Sequence, residues 1–185
     1  YPSYASLVDI ETNTDGRTVN VALPSPEGQR ALLDTLYTRA DVAPESLAFV
    51  EAHGTGTLAG DPVEAEALGR ALGQNRGTAL PIGSVKSNIG HLEPASGAAG
   101  ILKALSAFET GVLPASLHAD TLNPGIPFAD LNLTLAKKPV TLADTGTRAR
   151  AGVSSFGFGG TNAHAILAAP QAPLLPAPDT TRPRT

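Results

Sequence analysis

Residues 46–69, SLAFVEAHGTGTLAGDPVEAEALG, read as a strand, a turn and a helix in immediate succession. SLAFVEA has the length and apolar character of a buried strand. The glycines and threonines of HGTGT end it, and a helical period takes over after Pro62. Asp61 is placed to cap that helix, Pro62 suits its first position, and Glu64 completes a capping-box-like spacing. Val63, Ala67, Leu68 and Ala71 form its inward stripe. His53 stands in the turn with almost no bulk around it, and packing does not account for a histidine there.

The same alternation continues on both sides. YASLVDIE (4–11) reads as a strand ending at the turn NTDG (13–16). A helix follows from Ser25 as N-cap, with Pro26 first and Leu32, Leu33, Leu36 and Tyr37 on one face. LPIGSV (80–85) is the next strand and delivers KSNIGHLEP (86–94) as a loop. A third helix is expected from Ala95 to Glu109. Its first half, ASGAAG, is small and its second, ILKALSAF, is apolar, so it should be buried all round, with Gly111 as its C-terminal cap. VLPASLHA, NLTLA, ARAGVSSFGFG and NAHAILAA read as strands and connecting turns. This βαβαβα order followed by strands predicts a layered α/β fold with a largely buried sheet. His53, His91 and the glycine run 157–160 all lie in loops that follow strands, and in such sheets sites collect at the carboxyl ends of strands.

Composition narrows the function. A chain of 185 residues, 42% hydrophobic and 16% charged, fits one domain with a real core. It has no apolar run of membrane-spanning length and no signal-peptide pattern. A net charge of −4 without a basic stripe argues against nucleic acid. A soluble protein acting on small or thioester-like ligands is the plain expectation. The absence of cysteine excludes disulfides, thiolate metal sites and an internal cysteine nucleophile. The chain begins at Tyr1 and contains no methionine, so it is expected to be a piece of a longer polypeptide. From Pro170, PQAPLLPAPDTTRPRT carries five prolines in sixteen residues, which reads as a semi-rigid linker.

Two readings stand for His53 and His91. They are either hydrogen-bonded structural histidines, or neutral imidazoles donating N–H to one carbonyl oxygen and stabilising a developing oxyanion or enolate. Lys86, before Ser87 and Asn88, is either a solvated charge or a group that sets histidine protonation. SSFGFGGTN (154–162) allows a tight turn with exposed N–H groups, and its spacing is wrong for a dinucleotide fingerprint. His53, Asp61, His91 and Glu93 lack metal-site spacing, so no metal is expected. Ser154 and Ser155 do not form a nucleophile elbow. His118 and His164 lie in strand-like runs and read as structural.

VEAHGTGTLAGDPVEAEAL, PIGSVKSNIGHLEPASGAAGILKAL and GVSSFGFGGTNAHAIL together closely resemble β-ketoacyl synthase (ketosynthase) domains of type I modular polyketide synthases. The motifs are shared with animal-type fatty acid synthases. The resemblance runs from NTDGRT to about Leu167. It implies a thiolase-like fold of two similar α/β halves, of which residues 1–168 are the C-terminal half and 169–185 a proline-rich linker. The family's nucleophilic cysteine lies in the N-terminal half, which would be a partner of this chain. By the same resemblance His53 and His91 are the histidine pair and Lys86 supports the second histidine. Thr55 and Thr57 contact the phosphopantetheine arm of an acyl carrier protein, with Asn88 beside the substrate. Phe158, between Gly157 and Gly159, is a gate whose N–H joins the oxyanion hole, and Asp61 supports the same loop. The implied enzyme is a cytoplasmic homodimer when complete and holds no bound cofactor. Its reaction is decarboxylative condensation of an acyl-enzyme with a malonyl- or methylmalonyl-type thioester. The alternative is a non-elongating or carrier-docking half. Non-extending members typically lose the histidine of HGTGT, which is present here as His53.

Overall fold

The computed structural model describes residues 3–16, 24–142 and 148–170. The NTDGRT turn beyond Gly16 and the linker from 171 onward therefore lie outside the described residues.

Strand β1 (Ser6–Thr14) is followed by helix α1 (Pro26–Arg39), whose N-cap Ser25 accepts from Gly28 N at 3.0 Å. A 3-10 turn at Pro44–Ser46 leads into β2 (Leu47–Glu51). Helix α2 (Gly60–Leu68) runs on into a single π turn at Gly69–Gly73, and β3 (Leu80–Gly83) follows. KSNI is not loop but a short helix, α3 (Lys86–Ile89), and after a 3-10 turn the chain enters α4 (Ser96–Thr110). Gly111, left-handed at φ 70°, closes α4 as its sequence position predicts. The remainder is β4 (Val112–Leu113), β5 (Leu133–Leu135), β6 (Val140–Thr141), β7 (Arg150–Phe156) and β8 (Thr161–Ala168).

Six strands form one mixed sheet in the order β1-β8-β7-β2-β3-β5, and β4 pairs with β6 separately. β7, β2, β3 and β5 are mutually parallel, while β8 runs antiparallel to both β7 and β1. The carboxyl ends of β2, β3 and β7 consequently share one edge, where the three motif loops emerge.

One core cluster holds Leu33 and Leu36 of α1 and Leu68 of α2 against Val50, Leu80 and Ile166 of the sheet. The other holds Ala104 and Ala107 of α4 against Phe49, Ala151, Val153 and Leu167. Strand alternation sends Phe49 and Val50 to opposite clusters.

Two expectations are corrected here. Helix α4 is not buried all round. Its 3.6-residue period sets Ser96, Gly100, Lys103, Ala104 and Ala107 inward, so Ile101 and Leu102 face outward, 37% and 66% exposed. The VLPASLHA segment is strand only at Val112–Leu113. His118 sits exposed beyond it at φ 56°, in a turn. His164 does lie in a strand, fully buried, with its two ring nitrogens hydrogen-bonded to Tyr37 Oη (3.1 Å) and Ser154 Oγ (2.9 Å).

Candidate active site

The HGTGT turn is clamped by carboxylates rather than capped by them. Glu64, buried in α2, accepts from His53 N through Oε1 and from Gly54 N through Oε2, both at 2.8 Å. Asp61 lies in the first turn of α2 and accepts from Gly56 N at 3.0 Å. Neither residue caps the helix as its spacing suggests. The N-cap is Ala59, without a side-chain cap, and Thr57 Oγ1 accepts from Gly60 N at 3.0 Å, with Thr55 Oγ1 3.2 Å away. The spacing is right for a helix start, but the turn's inward-facing N–H groups compete for the same carboxylates and win. Gly54 permits this packing. It adopts φ 46°, and a Cβ there would lie 2.8 Å from Ser84 Cβ.

His53 is half-buried, and His91 reaches it from the loop after α3. Their ring centroids are 5.4 Å apart and nearly perpendicular, at 82°. Phe156, at the end of β7, packs on the other side of His53 with centroids 5.6 Å apart. Burial, then the neighbouring Lys86 and His91, push the His53 imidazole down to about 4, so it is neutral at pH 7. Its Nδ1 is buried with no hydrogen-bond partner among the described residues. His91 Nδ1 accepts from Glu93 N at 2.9 Å, with Glu93 at φ 54°. That bond places the proton of a neutral His91 on Nε2 and leaves it an N–H donor.

Lys86 is half-buried at the start of α3. Burial lowers its pKa, and the attraction of Glu64 and Glu51 opposes that change. Burial raises Glu64 to about 7 against the pull of its two N–H donors and of Lys86. It also raises Asp61, against hydrogen bonds from the Gly56 and Thr57 backbone. Asn88 is exposed on α3, while Ser87 Oγ accepts from Leu117 N and donates to Ser84 O.

The third loop is the β7–β8 hairpin turn. Gly157 N donates to Thr161 O at 2.7 Å and Gly160 N to Gly157 O at 2.9 Å. Phe158 at its tip is 83% exposed, and Gly159 has open space around it. A core phenylalanine, the ordinary reading of that position, is ruled out. Asp15 N donates to Gly160 O, and Asn162 Nδ2 donates to Asp15 Oδ1, tying the turn to the end of β1.

The structure thus brings His53, His91, Lys86 and Phe156 together, with Phe158 on the adjoining turn. Thr55, Asp61, Glu64 and Lys86 also line a cavity of about 560 Å³, whose walls include neither His53 nor His91. No group of three His, Cys, Asp or Glu side chains converges among the described residues, and no described helix is long and apolar enough to cross a membrane. Sequence reasoning missed the clamp made by Glu64. The available signal was a carboxylate on the inward stripe of an otherwise apolar helix.

Known proteins resemble this chain along most of its length. Residues 4–120 match the family model of the β-ketoacyl synthase C-terminal domain, and 123–184 match the ketoacyl-synthetase C-terminal extension. A phenolphthiocerol/phthiocerol polyketide synthase polypeptide of Mycobacterium tuberculosis is 48% identical over 165 residues, 88% of this chain and 9% of that protein. A polyketide synthase of Streptomyces halstedii is 47% identical over 164 residues, 87% of this chain and 2% of that protein. The oxazolomycin ketosynthase domain of Streptomyces albus superimposes with a TM-score of 0.85 at 38% identity, covering 94% of this chain and 30% of that one. Ketosynthase twelve of the bacillaene polyketide synthase of Bacillus amyloliquefaciens gives 0.85 at 39%, covering 90% and 30%. The chain therefore spans less than a third of the solved ketosynthases and under a tenth of these curated relatives. With a thiolase-like fold and these motifs in order, it belongs to the β-ketoacyl synthase family, as its C-terminal domain.

Proposed function

We propose that this chain supplies the histidine half of an elongating ketosynthase. Residues 1–168 form the working half and 169–185 a spacer. A partner N-terminal half brings the nucleophilic cysteine, and the complete enzyme acts as a cytoplasmic homodimer fed by acyl carrier proteins. The observation that carries this reading is the histidine pair, two rings 5.4 Å apart at one sheet edge. His53 is held neutral, and His91 is held by Glu93 N as an Nε2–H donor.

In the first stage the cysteine sulfur attacks a carrier-bound acyl thioester, and the acyl group moves to the enzyme as the carrier thiol leaves. In the second, a malonyl- or methylmalonyl-type thioester loses carbon dioxide. Its bonding electrons become an enolate that attacks the acyl carbonyl. A carbon–carbon bond forms, the bond to the cysteine sulfur breaks, and the thiol is released. His53 and His91 donate to the thioester oxygen as charge gathers on it, where donors aimed at the transition state count most. Lys86 supports His91. Thr55, Thr57 and Asn88 line the approach of the phosphopantetheine arm, and Asp61 and Glu64 hold the turn in register. Phe158 gates entry of the second thioester, Gly157 and Gly159 give its turn the freedom to move, and its N–H completes the oxyanion hole with the cysteine.

His53→Ala and His91→Ala test the assignment in the enzyme completed with its N-terminal half. Each should lower condensation by about 10²–10³-fold, the usual effect of losing such a donor, and leave self-acylation of the cysteine largely intact. Normal condensation in both variants would remove the histidines from the mechanism.

A further inference from the structure

Beneath the histidine turn lies a buried ion pair that the condensation chemistry does not use. Glu51 ends β2, two residues before His53, and is 1% exposed. Its Oε2 lies 2.6 Å from Lys103 Nζ of α4, with the two side chains 2% and 7% exposed. Its Oε1 accepts from Val85 N, also at 2.6 Å. Val85 is the residue from which α3 starts, and α3 carries Lys86 and ends two residues before His91. One carboxylate thus joins the end of the His53 strand, the start of the Lys86–His91 segment and α4. Small residues make room for it, since a Cβ on Gly100 would lie 3.3 Å from Glu51 Cγ.

Stability does not account for such a pair. Removing two charges from water costs about as much as their attraction returns, and apolar replacements are often neutral or better. What a charged acceptor adds is a short, directional bond to the Val85 N–H.

We infer that Glu51, oriented by Lys103, is a positioning residue that fixes the Lys86–His91 segment against His53 through the Val85 N–H. The inference rests on the condensation reading. Neither residue touches substrate. Their effect passes through the placement of Lys86 and His91.

Two double variants of the complete ketosynthase separate positioning from packing. Glu51→Gln with Lys103→Met removes both charges but keeps an amide oxygen for the Val85 N–H. Glu51→Leu with Lys103→Met removes the acceptor as well. Melting, self-acylation, condensation and hydrogen exchange across 85–91 are measured on each. Both variants should melt near the parent and self-acylate normally. The leucine variant should lose about 10²-fold in condensation kcat, as misplacement of a catalytic group by about 1 Å does. KM for the carrier should hold, and exchange across 85–91 should quicken. The glutamine variant should lose far less and keep its protection. Equal condensation and equal exchange in the two variants would overturn the inference, and so would a loss of protection spread over the whole molecule. A parent enzyme that acylates but never condenses would instead refute the condensation reading, and exchange across 85–91 would still decide the positioning.

Discussion

The two faces of the sheet are built differently. On one, α1 and α2 set Leu33, Leu36 and Leu68 against β2, β3 and β8, each 1% exposed or less. On the other, α4 sets Gly100, Ala104 and Ala107 against β2 and β7, and turns Leu102 outward at 66% exposure. Bulky side chains close a face by themselves. Small ones bring the helix axis near the sheet and leave its far side apolar, ready for another layer. The site residues follow the same division. His164, on the closed side, has both ring nitrogens satisfied, whereas His91 and Phe158 stand at the open edge and face outward.

The largest expected effect is on the closed face. Leu36→Ala or Leu68→Ala should destabilise the chain by about 2–5 kcal/mol, the range for a fully buried leucine, read from denaturant melts. If either costs no more than Leu102→Ala, the contrast between the faces is wrong.

A second, smaller effect comes from His164. Burial pushes its imidazole down to about 3, against 6.5 when exposed. Between those values the unfolded chain binds a proton that the folded chain refuses, so stability is full above pH 6.5 and falls as pH drops. The slope is about 1.4 kcal/mol per pH unit, or about 2 kcal/mol by pH 5. His53 acts in the same direction down to about 4. Glu64, raised to about 7, opposes both: above its unfolded value it favours the fold at lower pH. A His164→Gln variant cancels these shared terms by difference. Its stability deficit at pH 7.5 should narrow by about 2 kcal/mol at pH 5. A deficit constant with pH would mean that the fold leaves the His164 pKa where the unfolded chain has it.

The open face supplies the third test. Leu102→Ser should change stability by less than about 0.5 kcal/mol, as exposed substitutions do, yet reduce self-association of the isolated chain, because an exposed apolar patch invites contact. A parent chain that is a monodisperse monomer by sedimentation would argue that no second half is needed to cover α4.

Much of this contrast was legible in the residues. Ser25 and Pro26 opened α1 where expected, and Leu32, Leu33, Leu36 and Tyr37 were buried as their spacing required. Glycine-rich loops after strands singled out His53 and His91, and the structure brings those two rings together. What stayed hidden was the direction of charges inside apolar elements. Lys103 within ILKALSAF carries no local mark of a buried partner, and Glu64 within VEAEAL reads as half of a capping box. Their partners, Glu51 and the His53–Gly54 backbone, are brought in only by the sheet. Local rules placed Asp61 and Glu64 at a helix cap, and unpaired N–H groups of a tertiary turn claimed both.

An equally small change in stability is expected at Phe158, and it decides whether the open edge is functional. A buried phenylalanine replaced by alanine loses about 3–5 kcal/mol. Phe158 is 83% exposed, so Phe158→Ala should cost no more than about 0.5 kcal/mol in melts of the completed enzyme. Its turn is held at both ends, by Gly157 N on Thr161 O and by Asp15 N on Gly160 O, so loss of the ring leaves the backbone in place. If the ring gates the second thioester, the same sample should show a clear change in single-turnover condensation, while self-acylation shifts less. If instead the N-terminal half packs over Phe158, the melting point of the completed enzyme should fall by several degrees and condensation should follow only through lost assembly. A large melting drop with normal condensation per assembled enzyme would make Phe158 an interface residue and move the gate elsewhere on the turn.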